Sequence, residues 1–228
     1  MLAAAAPAAA GTFSIAPVRI ELSGAQRTAV LTVHNDDATP LVVQVSALNW
    51  TQPAGEESYT ATRDLLATPP VFTLPPNGEQ IVRVALRRDP DATRELDYRL
   101  LLAEVPQPAD RNFTGLRVAL RLSIPVFVKA ASPAPAVLAW HARWLPDGQL
   151  AVSASNTGQM HQQVSDFTLR FAGTEGTARG VVSRYLLPGS TVTWTIAPPA
   201  GLAHDRAMSI QGASDQGDFQ ADVAFAGP

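Results

Sequence analysis

The 228-residue sequence contains no cysteine and a single lysine, Lys129. The first absence removes disulfides, thiolate metal ligands and cysteine nucleophiles from consideration, without fixing a compartment. The second leaves sixteen arginines to carry nearly all the positive charge. They are scattered, with none of the basic and aromatic stripes that mark a nucleic-acid surface, so no nucleic-acid partner is expected. Charged residues make up only 16% of the chain, aromatic residues 7%, and the formal net charge is −3. No segment holds about 18 consecutive apolar residues, the length a membrane helix needs.

Catalytic signatures are missing as well. The sequence has no G-x-S-x-G elbow, no phosphate-cradling glycine loop and no dinucleotide fingerprint. The four histidines, His34, His141, His161 and His204, lack metal-ligand spacing and read as surface or strand-end residues. Asp36-Asp37 and Glu56-Glu57 read as solvated loop pairs, and Asp215-Gln216-Gly217-Asp218 lacks the twelve-residue calcium loop ending in Glu. The chain is therefore not expected to be an enzyme, and neither a metal, a cofactor nor a small-molecule substrate is expected.

What the sequence does have is 46% hydrophobic content cut into short runs by nineteen prolines and fifteen glycines. This composition points to strands and turns around a substantial core. Strands are expected over 13–22, 28–34, 41–50, 80–87, 97–105 and 115–129, then over 137–144, 149–156, 163–171, 178–185, 190–197, 206–211 and 219–225. Residues 131–136, with Pro133 and Pro135 and no large apolar side chain, read as a linker. An internal echo supports two related halves. Val30–Asn35 and Leu150–Asn156 are alternating strands stopped by Asn, and Leu74-Pro75 and Leu187-Pro188 each open a turn that feeds another strand. The expected class is all-β, two Ig-like sandwiches over 12–130 and 137–228. Residues 1–11, rich in Ala, read as a signal-peptide remnant or a tail.

The most unusual segment is 114–129. Leu116, Val118, Leu120, Leu122, Ile124, Val126 and Val128 share one face of an extended chain. That run would reach roughly 40 Å at about 3.3 Å per residue, well beyond an ordinary strand. Pro125 has no N–H to donate, so at least one side of this strand should be an edge. Either the segment is an over-long core strand or it lends its apolar face to another chain.

Several segments together resemble the periplasmic pilus-assembly chaperones of the chaperone–usher pathway. They are Ile15-Ala16-Pro17-Val18-Arg19-Ile20, Ala67–Pro76 ahead of Val82-Arg83-Val84, Tyr98–Pro106, and Ile124-Pro125-Val126-Phe127-Val128-Lys129, in the family's order. The second half matches more weakly, through Asn156, Leu187-Pro188-Gly189 and Asp215-Gln216-Gly217. The resemblance implies two Ig-like domains in a boomerang. It also implies pilin subunits completed by a donor strand at 115–129, through Leu116, Val118, Leu120, Leu122 and Ile124, and delivery to an outer-membrane usher. In that family two basic residues between the domains hold the subunit's terminal carboxylate. Arg19 matches the first, whereas Pro125 stands where the second, a Lys, is usual. Arg99 is the substitute this implies, a rearrangement that resembles the archaic or alternative branch. Glu104, Lys129 and Asp215 match the family's interdomain salt bridge.

Two other readings remain on the residues alone. An Ig-like adhesin or structural pilus component would carry its own donor extension or lack a strand. A carbohydrate-binding sandwich would expose clustered aromatics, yet Trp50, Trp140, Trp144 and Trp194 sit within strand patterns that suit core or interdomain packing. The sequence leaves open whether the free protein self-associates through its edge strand.

Overall fold

The computed structural model describes residues 13–106, 118–203 and 206–225. The chain divides into two compact units. The first comprises residues up to Trp50, Tyr59–Pro90 and Leu96–Lys129; the second comprises Thr51–Ser58, Asp91–Glu95 and the chain from Ala130 on.

In the first unit, β1 (Phe13–Ala16), β3 (Thr28–Asn35), β8 (Glu79–Leu86) and β6 (Leu65–Thr68) form a four-stranded sheet in the order β1-β3-β8-β6. A second sheet has the order β2 (Ile20–Leu22), β10 (Arg121–Val128), β9 (Leu96–Val105), β4 (Leu41–Thr51) and β5 (Ser58–Ala61), with β7 (Val71–Leu74) also paired to β4. Alternation decides which side chains fill the space between the sheets. Leu31, Val33, Val82 and Val84 come from one sheet, and Val43, Leu100, Leu102, Val126 and Val128 from the other, all at most 1% exposed. The expected single strand over 13–22 is two strands in different sheets. Phe13 and Ile20 both reach the core, and the chain changes sheets between them.

The second unit is one continuous hydrogen-bonded path of seven strands. Its order is β14 (Thr177–Leu186), β13 (Gln162–Phe171), β16 (Met208–Ser214), β17 (Gly217–Phe225), β11 (Leu138–Trp144), β12 (Leu150–Asn156) and β15 (Thr191–Ile196). The path folds back on itself, because Trp194 of β15 packs edge-on to Phe167 of β13 at 5.3 Å between centroids, and Trp140 of β11 lies against both rings. Closure is helped where β13 bulges between Val164 and Asp166, which adds twist. Gly212 faces that bulge; a Cβ there would lie 2.2 Å from the Asp166 carbonyl oxygen.

The repeated Asn has the same physical meaning in both units. Asn35 Nδ2 donates to the carbonyls of Thr39 and Pro75, each at 2.9 Å, while its Oδ1 accepts from Asp37 N. Asn156 Nδ2 donates to the carbonyls of Met160 (2.7 Å) and Leu186 (2.9 Å), while its Oδ1 accepts from Gly158 N. Each buried amide ties the end of its strand to the turn of its own unit, at Pro75 in the first and at Leu186, just before Leu187-Pro188, in the second.

Candidate binding edge and arginine pair

β10 runs antiparallel to β9 along its whole length, from Arg121 opposite Ala103 to Val128 opposite Leu96. On its other side it pairs with β2, parallel, and only from Val126 to Val128. Among the described residues no strand pairs with Arg121–Pro125 on that side. Pro125 sits at the step where this edge begins, a position that tolerates a missing N–H.

The apolar face runs out of the protein's own core along the same stretch. Ile124, Val126 and Val128 are fully buried. Leu122 and Leu120 are half-buried against the core, and Val118 is 55% exposed. Ile124 therefore belongs to the first unit's own core, which corrects its assignment as a lent residue. Among the described residues the regular strand is 121–128, with 118–120 and 129 outside it, and 115–117, Leu116 included, lie outside the described residues. Before the strand proper, Glu104 N donates to Leu120 O at 2.9 Å and Leu120 N donates to Glu104 Oε2 at 3.2 Å.

Arg19, Pro125 and Arg99 occupy one row across the sheet. Pro125 faces Arg99 directly, and Arg19 immediately precedes Ile20, the partner of Val126. All three lie on the face turned away from the core, because Ile20, Val126 and Leu100 point inward. Two rings back the guanidinium groups. Arg99 Cζ lies 3.7 Å from the centroid of Trp50, Arg19 Cζ lies 5.0 Å from that of Phe127, and the two rings are 6.0 Å apart at 40°. Arg19 also reaches Glu21 Oε1 at 3.3 Å, while Lys129 Nζ holds Glu21 Oε2 at 2.7 Å. The sequence carries no signal for the ring backing beyond the presence of an aromatic at each of the two strand positions.

Glu104 and Lys129, two members of the expected bridge, do not meet. Glu104 lies opposite Leu120, whereas Lys129 follows Val128 at the other end of the β9–β10 ladder. At about 3.3 Å per residue the two are roughly 30 Å apart, and Lys129 pairs with Glu21 instead. In the second unit Asp215 belongs to a buried cluster that sequence reasoning missed. His161 Nδ1 lies 2.5 Å from Glu95 Oε1, its backbone N–H donates to the same oxygen at 2.9 Å, and its Nε2 faces Asp215 Oδ2 at 3.4 Å. The side chains of His161 and Glu95 are each 1% exposed. Asp215 Oδ1 also accepts from Gln163 N at 2.8 Å. Within the first unit, Tyr98 OH donates to Asp64 Oδ2 at 2.9 Å, and burial together with that carboxylate pushes the phenol well above its ordinary range.

Residues 12–133, more than half the chain, match the family model described as the pili and flagellar-assembly chaperone, PapD N-terminal domain. The chain belongs to this family of pilus-assembly chaperones. It is accordingly a binding protein rather than an enzyme. Solved structures with the same fold include the CsuC–CsuE chaperone–tip adhesion subunit complex from archaic chaperone–usher Csu pili of Acinetobacter baumannii. That match has 20% identity over 95% of this chain and 100% of the other, with a TM-score of 0.71. The E. coli chaperone DraB matches at 21% identity over 94% and 98%, with a TM-score of 0.64. The Pseudomonas aeruginosa CupB2 chaperone matches at 18% identity over 93% and 100%, with a TM-score of 0.58. No curated protein sequence matches the chain.

Proposed function

We propose that this chaperone works in the periplasm, captures pilin subunits whose sandwich lacks a strand, and hands them to an outer-membrane usher. Capture uses the edge of β10 together with 118–120 as the strand that the subunit lacks, with Val118, Leu120 and Leu122 filling the subunit's open core. The observation that carries this reading is the step at Pro125. A subunit strand docked beside Arg121–Pro125 lies in line with β2 and must stop where β2 begins. If it runs parallel to β10, its last residue arrives between Arg19 and Arg99. If it runs the other way, that place receives a backbone that continues, or an ammonium group facing two guanidiniums. A terminal carboxylate is what two arginines favour, because charge-assisted bonds to carboxylate are short and strong. Arg19 and Arg99 are thus the anchor pair and set both polarity and register, with Pro125 between them in place of a lysine.

The test is co-expression with pilin subunits that lack a final strand, followed by co-purification. Arg19→Ala should weaken capture by roughly 10–150-fold, corresponding to about 1.5–3 kcal/mol for a charged hydrogen bond, with little change in melting. Amidating the subunit's C-terminus should cost a similar amount in the wild type and little more in the variant. Additive losses would show that Arg19 does not meet the carboxylate.

A further inference from the structure

Building on the anchor reading above, we infer that Trp50 is a positioning residue: its indole fixes the Arg99 guanidinium flat on the sheet, so that the fork meets a carboxylate beside Pro125. Arg99 stands on β9 opposite Leu48 and Pro125. Trp50 follows Asn49, the partner of Tyr98, so it sits diagonally to Arg99 on the same outward face. A guanidinium carbon 3.7 Å from the ring centroid is in stacking contact. Stacking occupies only the flat face of the group. Its N–H donors lie in the guanidinium plane, the direction from which a bidentate carboxylate approaches.

The arrangement also solves a problem that Pro125 creates. With no cation in the middle of the row, the carboxylate depends on two long side chains converging from either side, each with several rotatable bonds. Trp50 is 1% exposed and Phe127 fully buried, and the two rings touch, so neither can give way. Arg19 rests on Phe127 at a looser 5.0 Å and shares Glu21 with Lys129. Arg99 has the closer stack, which makes Trp50 the ring with more control over the carboxylate.

The probe is a synthetic eleven-residue peptide of alternating Val and Thr, made with a free C-terminal carboxylate and as its amide. The measured quantity is the ratio of the two affinities for the full chain by calorimetry. In the wild type the carboxylate form should bind about 10-fold tighter or more. A wild-type ratio near one would remove the anchor reading and this inference with it. With the wild-type ratio in place, Trp50→Leu should lower it by roughly 3- to 30-fold, as expected for loss of a cation–π stack, and Trp50→Phe should restore most of it. An unchanged ratio in folded Trp50→Leu protein would overturn the inference while leaving the anchor intact. Should Trp50→Leu fail to fold, Arg99→Lys decides. It keeps the charge and loses the flat fork, so its ratio should fall several-fold; a full ratio would show that ring-fixed geometry is irrelevant.

Discussion

Leu120 and Glu104 hold each other through two hydrogen bonds, one between backbones and one from Leu120 N to the Glu104 carboxylate. This clasp keeps the apolar segment aligned with β9 beyond the last regular pair, Arg121 with Ala103. Glu104→Ala removes the side-chain bond and leaves the ladder below it untouched. Amide exchange at Leu120 should speed up while exchange at Leu100 and Leu102 stays slow. Subunit capture should weaken several-fold, because the lent segment must then be ordered at the moment of binding. Hydrogen-exchange mass spectrometry and co-purification check the two halves of this expectation.

In the proposed capture, the boundary between lent and retained side chains falls between Leu122 and Ile124. Val118→Glu combined with Leu120→Glu should abolish capture with little loss of folding, since each apolar side chain buried in a partner contributes roughly 1.5–3 kcal/mol. Ile124→Ala should instead cost the first unit about 2–5 kcal/mol of stability, because Ile124 is 1% exposed within its own core. Denaturant melts of the two variants would separate these roles. Unfolding of the double Glu variant would place Val118 and Leu120 in the protein's own core.

His161 should matter to the second unit far more than a strand-end histidine would. Replacing it with Leu leaves the buried Glu95 carboxyl without its imidazole partner, at about 1–3 kcal/mol for a buried polar group left unsatisfied and more for a charged one. His161→Leu combined with Glu95→Leu should recover much of that loss, since an apolar pair of similar volume leaves no polar side chain unsatisfied at either position. Chemical denaturation followed by the fluorescence of Trp140 and Trp194, both in this unit's core, reports the difference.

Features written in local patterns were legible in the sequence. The two-sheet class followed from short apolar runs between prolines and glycines, and the edge at β10 followed from a proline inside a long alternating run. The Arg19–Pro125–Arg99 row was reached through resemblance, and the register aligns those three positions. What could not be read depended on register between distant segments. Glu95 immediately precedes β9 and Glu104 lies near its far end; both are acidic, and only the pairing of distant segments tells what each one faces. Alternation could not say where the core stops along β10, because Leu122 and Ile124 look alike until the facing sheet is placed. Trp50 was read as packing for the same reason. A tryptophan in a strand is normally buried against apolar neighbours, and nothing local reveals an arginine two residues away across the ladder. The short strands β5, β6 and β7 were missed because four-residue runs broken by Thr62 and Pro69-Pro70 carry too little periodicity.

Asn35 and Asn156 offer a test of the repeat that needs no binding partner. Each is at most 1% exposed, donates through Nδ2 to at least two backbone carbonyls of its own unit and accepts at least one backbone N–H through Oδ1. Replacing either with Ala strands those backbone groups, at about 1–3 kcal/mol per buried unsatisfied group. The losses should be similar and confined to the unit that carries the change. Asn→Asp is more informative, because a carboxylate keeps the acceptor but turns its second oxygen toward two carbonyl oxygens. The protonated acid can still donate there, so folding favours protonation and raises the introduced group's pKa above the unfolded value of about 3.9. A folded state that binds the proton more tightly loses stability as pH rises through the unfolded pKa, and goes on losing it until the folded pKa is passed. Asn35→Asp and Asn156→Asp should therefore come closest to wild-type stability in acid and fall furthest below it at neutral pH. Denaturant melts of wild type and variant across pH 3–8 would measure that difference; a gap that stays constant would show that the amide does not donate to those carbonyls.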